Sequence, residues 1–230
     1  MSVWVKICGN TSLEDALLAT NAGADAVGFV FASSPRRVTV EQVAVITPHL
    51  PEAVEKIGVF VDAGLEEILL AVRASGLTGV QLHSEASPEL PALLHEHLGM
   101  ELRILRVVHF GAEAAQQAAA VAADPHVDAV LVDSRIATAL GGTGVAFDWA
   151  VARKTLFRDL NFRDSNAQER LIVAGGLNPE NVAEAIATLR PWGVDVVSGV
   201  EAKPGCKDQA KVRAFVARAR SIEGQLAERT

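Results

Sequence analysis

Two side chains stand out as proton carriers, each at the end of a short apolar run: Cys8 in Lys6-Ile7-Cys8-Gly9-Asn10, and Asp133 in Leu131-Val132-Asp133-Ser134. A thiolate can take a proton from carbon, and a carboxyl kept from water can give one to oxygen. Each has a plainer reading, since a free cysteine often behaves as a small buried hydrophobe and a strand-end aspartate can cap the next loop. Anion binding is signalled by three glycine-bearing loops, Gly141-Gly142-Thr143-Gly144, Gly175-Gly176-Leu177-Asn178 and Ser198-Gly199-Val200-Glu201. Glycines in such loops free backbone N–H groups for phosphate. Arg36 and Arg37, in Ser34-Pro35-Arg36-Arg37-Val38, suit a two-pronged grip on a carboxylate or simple solvation. His83, in Gln81-Leu82-His83-Ser84, suits substrate contact or a satisfied strand end. No spacing of His, Cys, Asp and Glu reads as a metal site, so the metal expectation is none.

The elements that must position these residues alternate along the whole chain. Strand patterns fall at Val3–Ile7, Ala26–Phe31, Lys56–Val61, Gly79–Leu82, Leu102–Val107, Ala129–Val132, Leu171–Ala174 and Asp195–Ser198. Helical patterns fall between them at Leu13–Asn21, Val40–Thr47, Leu65–Ala74, Pro88–Leu98, Ala112–Ala123, Trp149–Arg158, Pro179–Leu189 and Gln209–Leu226. Eight strand–helix units in 230 residues predict one α/β domain over residues 1–230, a closed (β/α)8 TIM barrel. In such a barrel the site gathers where strands end, and phosphate often sits in the loops after the seventh and eighth strands.

Strand parity then decides which residues face the barrel interior. Val3, Val5 and Ile7 form an apolar outward face, which turns Trp4, Lys6 and Cys8 inward. By the same argument Ala26, Gly28, Val30, Gln81, His83, Ala129, Leu131 and Asp133 face in. Lys6 and Lys56 are expected inside but lower down, with Asp195 as a partner for Lys6, because an unpaired buried ammonium is costly.

Composition narrows the partners. Half the residues are hydrophobic, aromatics are 5% with no Tyr, and 21 basic against 28 acidic residues give a formal charge of −7. That balance opposes non-specific binding to nucleic acid or anionic membrane, so an anionic small ligand needs a locally positive pocket. The start Met1–Lys6 lacks the basic and long apolar regions of a secretion signal, and no run reaches membrane-spanning length. Cytoplasm is the expected compartment. Two cysteines make no disulfide framework, and Cys206 reads as an incidental loop thiol.

With these residues in place the chain resembles the phosphoribosylanthranilate isomerases end to end. The resemblance rests on KICGN (Lys6–Asn10), AGADAVGFVF (Ala22–Phe31), SPRRV (Ser34–Val38), GVFVD (Gly58–Asp62), VQLHS (Val80–Ser84), LVDS (Leu131–Ser134), GGTGVAFDW (Gly141–Trp149), AGGLNPENV (Ala174–Val182) and GVDVVSGVE (Gly193–Glu201), in that order. It implies a cofactor-free Amadori rearrangement of N-(5-phosphoribosyl)anthranilate in tryptophan biosynthesis, with Cys8 as general base and Asp133 as general acid. It further implies Arg36 on the anthranilate carboxylate and a substrate site including His83, Gly142, Gly144, Gly175, Gly176, Asp195, Ser198 and Gly199. The acid's pKa is expected to rise by burial and the thiol's to fall beside Lys6.

Three positions depart from the family pattern. Ser84 stands where the family usually has glycine, Val197 precedes Ser198 where two serines are common, and Arg37 replaces an aromatic or aliphatic residue. A hydroxyl contact at 197 is therefore lost, leaving Ser198 N–H, and the carboxylate grip lies between Arg36 and Arg37. The rival readings are another phosphosugar isomerase or epimerase, an indole-glycerol-phosphate synthase and a non-catalytic phosphoribosyl-binding barrel. Missing metal ligands and the retention of both Cys8 and Asp133 oppose them. A dual-substrate isomerase is expected to carry aspartate where Cys8 stands. No synthase domain accompanies the barrel in this sequence, so a monofunctional isomerase is expected; a monomer is the expected state.

Overall fold

Val5, Ile7, Val27, Phe29, Val80, Leu82, Val130 and Val132 occupy alternate strand positions, and all pack outward into one apolar layer beneath the helices. Burying a side chain of this size contributes about 1.5–3 kcal/mol, which makes parity costly to reverse. The result, in a computed structural model describing residues 2–83, 86–133, 149–157 and 170–227, is a closed parallel barrel. Its strands run in chain order: β1 (Trp4–Ile7), β2 (Ala26–Val30), β3 (Glu55–Phe60), β4 (Gly79–Leu82), β5 (Arg103–His109), β6 (Ala129–Asp133), β7 (Leu171–Ala174) and β8 (Gly193–Val196). β1 pairs with β8, Lys6 standing opposite Asp195, to complete the ring.

Among the described residues eight α-helices surround it: α1 (Leu13–Asn21), α2 (Val40–Ile46), α3 (Leu65–Ser75), α4 (Leu90–Leu98), α5 (Ala114–Ala122), α6 (Trp149–Thr155), α7 (Val182–Leu189) and α8 (Gln209–Ala227). A small antiparallel hairpin, β9 (Glu201–Lys203) and β10 (Cys206–Lys207), follows a single 3-10 turn at Ser198–Val200 after β8. Ser12 caps α1 through the Asp15 N–H, and Thr39 with Gln42 forms a capping box on α2.

Two helices begin later than their prolines suggest. Ser87 Oγ accepts from Glu89 N–H, and Asn178 Oδ1 accepts from Glu180 and Asn181 N–H. These side-chain turns take the first amides, so Pro88 and Pro179 sit in turns before α4 and α7. The eighth strand lies two residues earlier than its apolar pattern implied, because its partner β1 pairs with Gly193–Val196.

Inside the barrel, Trp4, Ala26, Ile57, Leu105, Val107, Ala129, Leu131, Ile172 and Ala174 form a separate apolar core. Trp4 closes the lower end by stacking on Trp192, with ring centroids 5.2 Å apart. The expected inward Lys56 is a correction. Ile57 joins the inner core and Phe60 the outer one, where it stacks on Phe31, so Lys56 shares the outer parity. Its ammonium reaches the Pro51 and Glu52 carbonyls at the rim. Gly58, lacking a side chain, had hidden which face of this strand is apolar.

Candidate active site

Lys6 sets the electrostatics of the upper barrel. It is completely buried, and its Nζ lies 2.9 Å from both Gln81 Oε1 and Asp195 Oδ1, three inward side chains from β1, β4 and β8. Burial opposes its charge, but Asp195 and Cys8 outweigh that and raise its pKa, keeping it an ammonium. Asp195 is thus engaged by Lys6 in the barrel wall.

Cys8 follows β1 and is 3% exposed. Its thiol fits because β2 offers Gly28 beside it: a Cβ at position 28 would lie 2.5 Å from Cys8 Sγ. The thiol pKa is raised, not lowered as expected beside Lys6. Burial pushes it up, Lys6 pulls it down, Asp195 pushes up again, and the balance lies above the ordinary thiol value. Two ammonium groups, Lys6 and Lys207, still oppose the shift, so the site resists ionisation without forbidding it. Both Cys8 and Cys206 are free thiols.

Asp133 ends β6, three strands from β1 around the ring, and is 4% exposed. In the parallel register it stands opposite His109 on β5 and Ala174 on β7. His109 joins the site beyond the expected residues, because β5 extends two residues past the apolar pattern that ends at Val107. Its ring lies 6.1 Å from that of His83, which follows β4, so two imidazoles line one side of the mouth.

Arg36 is half-buried and engaged. Its Nε and Nη2 donate to Glu201 Oε1 and Oε2 at 2.8 and 2.7 Å, a two-pronged pair, whereas Arg37 is exposed. Glu201 and Lys207 were also absent from the expected site. An acid inside a loop read as anion-binding was the available signal, since it requires a cation nearby. Gly175 and Gly176 both have left-handed backbones, with φ 84° and 67°, and successive amides in turns of this kind form concave anion sites. Ser198 and Gly199 lie in the 3-10 turn, where Gly199 is needed for close packing: a Cβ there would meet Leu177 O at 1.9 Å. Gly142, Gly144 and Ser84 lie outside the described residues.

A closed (β/α)8 barrel that gathers a thiol, a carboxylate, two imidazoles and a held arginine at one mouth has the architecture on which barrel enzymes place their active sites. Residues 5–218 match the family model of N-(5'-phosphoribosyl)anthranilate (PRA) isomerase, and the chain belongs to that family. An N-(5'-phosphoribosyl)anthranilate isomerase of Geobacter sp. (strain M21) is 42% identical over 95% of this chain and 98% of its own length. The crystal structure of phosphoribosyl anthranilate isomerase from Thermotoga maritima is 38% identical over 95% of this chain and 99% of that one, with TM-score 0.81. A second isomerase structure, in complex with reduced 1-(o-carboxyphenylamino)-1-deoxyribulose 5-phosphate, is 37% identical over 95% and 99%, with TM-score 0.77.

Proposed function

We propose that this chain converts N-(5-phosphoribosyl)anthranilate to 1-(2-carboxyphenylamino)-1-deoxyribulose 5-phosphate, the Amadori step of tryptophan biosynthesis. The observation that carries this reading is the convergence of Cys8 and Asp133 on one barrel mouth, in a chain of that family. Asp133 gives its proton to the furanose ring oxygen. The C1–O bond breaks, and the nitrogen lone pair completes a cationic Schiff base. Cys8, as thiolate, takes the proton from C2, and the released pair neutralises the nitrogen as an enolamine. That species gains a proton at C1 and loses one from the C2 hydroxyl, giving the ketone. The Schiff-base cation adds to the pull of Lys6 and Lys207, so the base ionises most readily when the intermediate is present.

Phosphate is assigned to the loops after β6, β7 and β8, including Gly142, Gly144, Gly175, Gly176, Ser198 and Gly199. His83 and Asp195 complete the substrate site, Asp195 acting through Lys6. Arg36 takes the anthranilate carboxylate: its Nη1 edge is not used by Glu201. Arg36→Ala is expected to raise KM roughly tenfold or more with a smaller change in kcat. A larger KM effect from Arg37→Ala would move the assignment by one residue.

Loss of phosphoribosylanthranilate fluorescence on adding purified protein, in EDTA, tests the whole reading. No turnover would sink it, and inhibition by EDTA would point to a metal enzyme. Among the described residues no helix is long and apolar enough to cross a membrane, which is compatible with a cytoplasmic enzyme. A monomer is proposed because, among the described residues, the exposed large apolar side chains Val45, Leu70, Met100 and Val151 are divided among three helices and a turn; a dimer mass in light scattering would overturn it.

A further inference from the structure

Glu201 is buried where the loops after β1, β2 and β8 meet. Besides its two bonds from Arg36, it accepts from the Gly205 N–H at 3.2 Å and faces Lys207 Nζ at 3.4 Å. Lys207 in turn donates to the Cys8 carbonyl at 2.5 Å and the Val197 carbonyl at 3.3 Å. The β9–β10 hairpin that carries both residues is fastened to the first loop and α1: Thr11 Oγ1 donates to Gly205 O at 2.6 Å, and Lys207 N–H to Asp15 Oδ1 at 3.1 Å. The Arg36 stem lies over Gly9, where a Cβ would meet Arg36 Cδ at 3.0 Å. The guanidinium is therefore fixed along its length, by Gly9 beneath the stem and by Glu201 at the head.

A guanidinium has five N–H donors. Glu201 takes those on Nε and one on Nη2, which leaves the Nη1–Nη2 edge for a second two-pronged partner. Glu201 thus holds Arg36 without occupying the edge a ligand carboxylate needs. We propose that Glu201 is a positioning residue for the proposed reaction, presenting the outer edge of Arg36 so that the site favours ligands bearing a carboxylate. This rests on the reading that Arg36 binds the anthranilate carboxylate.

Two effects compete when Glu201 loses its charge. The local positive field grows, which favours an anion, and Arg36 loses its anchor, which makes a ligand pay the ordering of a long side chain. Orientation wins, because the field gain is limited by Lys207. Burial already lowers the pKa of that ammonium while Glu201 supports it, and its donations to the Cys8 and Val197 carbonyls keep its charge turned toward the barrel wall and away from Arg36.

The test compares two ligands of the folded protein: reduced 1-(o-carboxyphenylamino)-1-deoxyribulose 5-phosphate and its counterpart lacking the carboxyl group. Glu201→Gln is expected to weaken the carboxylated ligand roughly threefold to tenfold, the cost of ordering one such side chain, and the carboxyl-free ligand less than about twofold. KM rises while kcat holds, and Glu201→Asp recovers part of the affinity. Equal weakening of both ligands, or tighter binding of the carboxylated one, overturns the proposal. Arg36→Ala, measured alongside, separates the premises: if it treats both ligands alike, the Arg36 assignment fails. If it discriminates and Glu201→Gln does not, only the role of Glu201 fails. Should Glu201→Gln not fold, Glu201→Asp decides by the same comparison, a selective loss supporting the proposal and an equal loss overturning it.

Discussion

Cys8→Ala is expected to lower kcat by roughly 10²–10⁴-fold, the range for a positioned acid or base, while the reduced product analogue still binds. The variant deletes only Sγ from a position packed against Gly28, so the barrel has little to rearrange. A kcat within a few-fold of the parent would remove Cys8 from the mechanism. Gly28→Ala offers an independent check, because it keeps the cysteine but puts a methyl 2.5 Å from Sγ, so the thiol must shift to make room. A large loss of kcat is expected there as well.

The pH profile carries the same assignment. Burial foremost, and then Asp195 against the pull of Lys6, holds the Cys8 pKa above an ordinary thiol, and a base works only when deprotonated. The rising limb of kcat/KM, which reports the free enzyme, is therefore expected on the alkaline side of the ordinary thiol range. The stability sign agrees: a raised folded-state pKa gives stabilisation that is complete below the unfolded pKa and is lost as pH rises through the folded one. Alkaline melting profiles of the parent and Cys8→Ala should therefore diverge. A thiol limb centred below neutrality would show that Lys6 prevails over burial even without substrate.

Why so much of this was legible in the sequence, and some not, follows from the physics of each strand. β1, β4 and β6 have one strongly apolar face, so parity alone turns Cys8, Gln81, His83 and Asp133 inward and matches Lys6 with Asp195. β3 has Gly58 on its outer face, which weakens the contrast and reverses Lys56. β5 runs to His109 because its partner β6 continues to Asp133, a pairing between strands that neither sequence segment expresses alone. The Arg36–Glu201 pair joins residues 165 positions apart, through a hairpin of three and two residues too short for any period to appear. Local pattern therefore gives the barrel and puts Cys8 and Asp133 at strand ends, whereas the side chains that fix their neighbours emerge only from closure.

Asp133→Asn is expected to lower kcat by a similar roughly 10²–10⁴-fold, through a different step. Asparagine keeps the size and planar shape of the side chain and can still donate a hydrogen bond, but it has no proton to give to the ring oxygen. Asp133 sits 4% exposed at a strand end, held in register by β5 and β7, with its carbonyl accepting the Phe110 N–H at 2.9 Å, so the exchange need not disturb the backbone. The reduced product analogue is open-chain and needs no ring opening, so its affinity should change little. The substrate, whose furanose ring must open before Cys8 has an acidic C2 proton to remove, should be bound and hardly turned over. If the analogue loses affinity in step with kcat, Asp133 is a binding group, not an acid. If kcat survives within tenfold, ring opening draws its proton from elsewhere in the mouth, and His109, opposite Asp133 in the strand register, becomes the residue to replace.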